Sequence, residues 1–184
     1  MPNPNIKDRK PNIEPRHSVL GIPAVSNGGG IDECFKCSPF EHPHRNIYEF
    51  VKNKIPATKA GYASSVTITG SPATYTELLS LILNAPFTNY AFLSRRFAFT
   101  AKQVHEFMIK YSSGTSKQVG ELSVLNREGM NIFPVQDGAD IFMMRFDIMF
   151  GLWSPGIDCV HRLDSWEPDS VLFYNTSYQS SLAA

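Results

Sequence analysis

Cys34 and Cys37, followed by His42 and His44, carry the donor atoms of a zinc site within one short segment. Zinc takes thiolate sulfur and imidazole nitrogen in tetrahedral geometry. The gap between the two pairs is far shorter than the dozen or so residues of a zinc finger. With Pro39 and Pro43 in the same stretch, these ligands would wrap the metal in one tight loop. His17 or Cys159 could replace one of them if the segment folds back. Without metal, the same residues are reduced thiols on an extended segment. A redox role fits less well. A reactive Cys-x-x-Cys wants its first thiol at a helix N-terminus after a strand, and Phe35-Lys36 offers no such setting.

Two further groups invite a chemical reading. Cys159-x-His161 lies beside Asp158 and Asp164. Residues i and i+2 on a strand stand about 6–7 Å apart with parallel side chains, beyond the reach that a nucleophile and its base require. The plainer reading is a half-buried cysteine and an exposed histidine. The second group is His105-Glu106 together with Asp140, Arg145 and Asp147. His105, Arg145 and Asp147 would make an acid–base set if a concave sheet face gathered them into a pocket. Asp140 and Asp147 differ by an odd number of positions, so a regular strand puts them on opposite faces. Arg145 and Asp147 share a face, where a structural ion pair is the commoner use. Gly28-Gly29-Gly30 lacks the Lys-Ser/Thr of a phosphate loop. Arg95-Arg96 among Tyr90, Phe92, Phe97 and Phe99 is too small a basic patch to read as a stacking platform for bases.

Residues 1–45 must hold the cysteine–histidine segment, and their composition differs from the rest. They contain Pro2, Pro4, Pro11, Pro15, Pro23, Pro39 and Pro43 as well as the glycine run. Proline removes donors and glycine carries a high ordering entropy, which disfavours helix and central strand. Yet Val19, Leu20, Ile22, Val25, Ile31, Phe35 and Phe40 are spaced apolar residues. The pattern predicts an extended arm lying along a surface, its own or a neighbour's, with Val19, Leu20, Ile22, Val25, Phe35 and Phe40 as its anchors. The alternative is a solvated tail.

Residues 46–184 read as a single α+β body. Ile47, Phe50, Val51 and Ile55 fall at helical spacing before Pro56. Tyr62–Thr69 reads as a strand. Thr74-x-x-Glu77 and Thr100-x-x-Gln103 are capping boxes ahead of apolar helical runs, ended by Asn84 and Gly114. From Lys117 the period becomes two. The expected strands are 119–125, 130–136, one long strand 139–153 in which Phe142, Met144, Phe146, Ile148 and Phe150 alternate, then 157–163 and 170–174, with a hairpin at Asp137-Gly138. The predicted fold is therefore β-rich α+β: an N-terminal arm, two to three helices, then an antiparallel meander of about five strands. A cone-shaped curved sheet around the helices suits this order best, and a jelly-roll-like sandwich with helical insertions is the alternative.

Composition bounds the function. Apolar residues make up 42% of the 184 and aromatics 12%, enough for a core and against disorder. No run of about 18 apolar residues is present, so no membrane span is expected. Zero net charge argues against nucleic acid as the main partner. Three cysteines do not make a disulfide framework. The N-terminus has no secretory pattern, so the chain is expected in the cytoplasm or a virion and not as a secreted protein. The sequon Asn175-Thr176-Ser177 would then go unused. Charge is unevenly placed: residues 1–118 hold 14 basic and 8 acidic groups, residues 119–184 hold 3 and 9. Complementary halves suit head-to-tail association of subunits.

These features predict a non-enzymatic structural subunit of a larger assembly, coat-like or part of a multi-subunit complex, with the arm docked on a neighbour. No cofactor is expected beyond the candidate zinc. The alternative is a small cone-shaped enzyme or ligand-binding protein that takes a small molecule on its concave sheet face.

Overall fold

The structure, a computed structural model, describes residues 10–26, 34–35, 39–40, 57–84, 95–112, 123–159 and 166–177. In chain order its elements are β1 (Asn12–Ile22), β2 (Gly61–Thr69), α1 (Tyr75–Leu83), α2 (Ala101–Ser112), β3 (Asn131–Asp137), β4 (Asp140–Met149), β5 (Leu152–Cys159) and β6 (Val171–Asn175). The strands form a six-stranded sheet in the order β1-β2-β6-β3-β4-β5. The β-rich α+β class holds. The five-strand antiparallel meander does not, because only β3-β4-β5 run as a meander. The last strand, β6, returns to the middle and pairs antiparallel with β2 and parallel with β3.

Both faces of this sheet are apolar, and strand alternation sorts them. Phe133, Phe142, Met144, Phe146, Val171 and Phe173 point into one cluster with Val104, Phe107 and Met108 of α2. Their neighbours Ile132, Met143 and Leu172 point into the other, with Leu78 and Leu79 of α1. Among the described residues one helix covers each face, which differs from a cone-shaped sheet wrapped around both helices. The first cluster is centred on aromatic rings. Phe133 stacks on Phe173 at 4.6 Å between centroids and meets Phe99, Phe107 and Phe146 edge-on at 5.7, 5.5 and 5.7 Å, geometries that the ring quadrupole favours.

Helix α1 begins as its sequence predicts. The Thr74 hydroxyl accepts from the Glu77 N–H at 3.3 Å, and the Glu77 carboxylate accepts from the Thr74 N–H at 2.7 Å. Asn84 closes the helix in the left-handed conformation. Thr100 and Gln103 repeat the arrangement before α2: the Thr100 N–H donates to Gln103 Oε1 at 2.9 Å and the Gln103 N–H to Thr100 Oγ1 at 3.2 Å.

Three strand expectations need correction. Residues 139–153 are not one strand. Phe150 and Gly151, with φ of 52° and 86°, form a two-residue turn, so that Met149 faces Leu152 across a β4–β5 hairpin. Ser154-Pro155-Gly156, left between two expected strands, lies inside β5. That is tolerable because β5 is an edge strand, where a missing N–H costs no ladder bond. Ser123 is irregular and Val124–Leu125 form a bend rather than strand. The hairpin before β4 forms as expected, with Gly138 at φ 61° and Asp137 facing Asp140.

Part of the expected arm lies along the chain's own sheet. Residues 12–22 form β1, which pairs antiparallel with β2 from Asn12↔Thr69 to Ile22↔Gly61. Val25 continues the ladder by exchanging backbone bonds with Thr58 at 2.8 and 2.9 Å. The prolines that argued against a central strand are accommodated at the sheet's edge, and register shifts after Pro15 and after His17 blunt that edge against further pairing. Side chains then fasten β1 to the body. Ser64 Oγ donates to Ser18 O at 2.7 Å, Lys110 Nζ and Tyr111 Oη to Gly21 O at 3.1 and 3.2 Å, and Arg16 Nη2 to Ser123 O at 2.7 Å. Leu20, Ile22, Val25, Phe35 and Phe40 are buried, and of the six anchors only Val19, at 68% exposure, faces out. At the opposite edge the Trp153 N–H donates to Pro39 O at 2.9 Å, which lays Pro39–Phe40 beside β5. The expected helix over Ile47–Ile55 and the domain boundary at 45/46 lie outside the described residues.

Candidate functional site

The sheet separates the residues that an acid–base site would need. Arg145 and Asp147 alternate with Phe146 on β4 and so face away from the α2 cluster to which Phe146 belongs. His105 sits on α2, on the other side. Its ring packs against Phe35 and Phe40 at centroid distances of 5.1 and 5.5 Å, and its Nδ1 lies 3.2 Å from Glu106 Oε1. Phe35, Phe40 and Phe146 also contact one another at 4.8–6.2 Å. His105 thus belongs to the aromatic packing that seats Phe35 and Phe40. It shares no pocket with Arg145 and Asp147.

On its own face Arg145 makes a structural contact. Its Nε lies 3.4 Å from Asp158 Oδ2, diagonally across the ladder in which Arg145 faces Gly156. The side chain passes over Gly156, where an added Cβ would come within 2.8 Å of Arg145 Nε. Glycine at this position is what allows the arginine to lie flat and reach Asp158. Asp147 faces Ser154 across the same hairpin. With side-chain exposures of 37% and 26%, the Arg145–Asp158 pair is partly solvated and contributes little to stability.

The zinc segment is only partly described. Cys34 is buried in the α2 cluster, whereas Cys37, His42 and His44 lie outside the described residues. No cluster of metal-binding side chains occurs among the described residues. The basic–aromatic patch is not assembled as a platform: Arg95 Nη2 donates to Ala139 O at 3.0 Å, and Phe97 and Phe99 are buried in opposite clusters. His161 and Asp164 lie outside the described residues. No helix among the described residues is long and apolar enough to cross a membrane.

Several polar side chains that sequence reasoning passed over bind backbone. Asn131 is fully buried. Its Oδ1 accepts from the Asn126 N–H at 2.8 Å and its Nδ2 donates to Asn126 O at 2.8 Å, clamping the loop before β3. Asn126 Nδ2 in turn donates to Asp169 O at 2.6 Å. Asn175 Nδ2, the atom a glycan would modify, donates to Ala98 O at 3.2 Å, while its Oδ1 accepts from the Ser177 N–H at 3.0 Å. Tyr174 faces Ser64 across the β2–β6 ladder. Burial raises its phenol pKa above the usual value of 10, and a side-chain hydrogen bond with Ser64 opposes the shift. Arg16 is shifted downward by burial alone.

What the sequence analysis missed is apolar. Phe150 is 94% exposed and Met149 50% exposed at the tip of the β4–β5 hairpin. Tyr62 and Val19 are exposed on β2 and β1. A phenylalanine at φ 52° is unusual, because β-hairpin turns of this kind favour Asn, Asp or Gly. The chain matches no protein-family model, and no curated protein or solved structure matches it.

Proposed function

We infer that the protein is a non-enzymatic structural subunit that associates with protein, foremost with copies of itself. The observation that carries this reading is the pair of exposed apolar sites on an otherwise well-covered sheet, Met149–Phe150 at one edge and Val19 with Tyr62 at the other. Large apolar side chains grouped in the open mark interaction sites more often than chance surface residues do. The division of charge between residues 1–118 and 119–184 supports contacts between unlike parts of neighbouring copies. That His105 lies on the other face of the sheet from Arg145 and Asp147 supports the non-catalytic reading.

The mode of association differs from arm exchange. The apolar anchors Leu20, Ile22, Val25, Phe35 and Phe40 are occupied in the chain's own core, so lateral contacts of the body carry the assembly. Negative-stain electron microscopy of the concentrated chain tests this reading. Rings, rows or closed particles of uniform subunits are expected, and fields of isolated single-domain particles at every concentration would contradict it.

A further inference from the structure

We draw no further inference here: the strongest candidate, the exposed apolar turn Met149–Phe150 between β4 and β5, carries none, because nothing in the structure shows what covers it.

Discussion

Replacing Phe150 by asparagine should stabilise the isolated subunit. The residue holds φ 52°, and the left-handed conformation costs a side chain with a Cβ about 1–2 kcal/mol. Asparagine followed by glycine is the pair that such a turn prefers, and Gly151 is already in place at φ 86°. The opposing term is small: Phe150 is 94% exposed, so its removal returns almost no apolar area to water. The net expectation is a gain of about 1 kcal/mol, or about 2–4 °C in melting temperature for a chain of this size. Urea unfolding followed by tryptophan fluorescence is a suitable assay, with an unchanged slope and a higher midpoint as the expected result. It should be run at the lowest workable concentration, because association of the natural chain would add apparent stability. A midpoint that stays put or falls would mean that the phenyl ring makes contacts within its own fold, and the argument from strain would fail.

The remaining expectations concern the body. Deleting residues 1–22 removes β1 and with it buried Leu20 and Ile22; each such loss costs about 2–5 kcal/mol against a total of about 5–15. The truncated chain should fail to fold, and a dispersed amide spectrum or a cooperative melt from it would refute the placement of β1. Asn131→Ala should cost about 2–3 kcal/mol, because the Asn126 N–H and carbonyl lose their partners, and chemical denaturation against the natural chain checks it. Burial raises the Tyr174 pKa above 10, so the unfolded chain releases this proton first as pH rises. The stability that follows from this shift is present below pH 10 and is lost as pH climbs through the folded-state pKa. Tyr174→Phe should flatten that part of the stability profile, and a profile of unchanged slope would contradict the assignment.

Much of the local structure could be read from the chain, for physical reasons. Capping boxes are short-range hydrogen-bond patterns, and Thr74–Glu77 and Thr100–Gln103 both form. The alternation of Phe142, Met144 and Phe146 predicted a common face, and all three enter the α2 cluster. The same alternation concealed the β4–β5 turn, because Phe150 continues the apolar series while the backbone reverses beneath it. Pro15 argued only against a central strand and Pro155 stood between two expected strands, yet both lie in edge strands, and edge position is a property of the whole sheet. The parallel pairing of β6 with β3 joins segments about 40 residues apart and has no local signature. The candidate acid–base set failed for a related reason: alternation relates Arg145 to Asp147, but no local pattern says which face α2 brings His105 to.

Self-association is the claim on which the rest depends, and solution mass tests it most directly. Light scattering on the eluate of a size-exclusion column, over about a hundredfold range of loading, reports it under mass action. The account predicts a mass that climbs with concentration beyond a dimer and falls back with added salt. A constant mass of 20.6 kDa at every loading would contradict it.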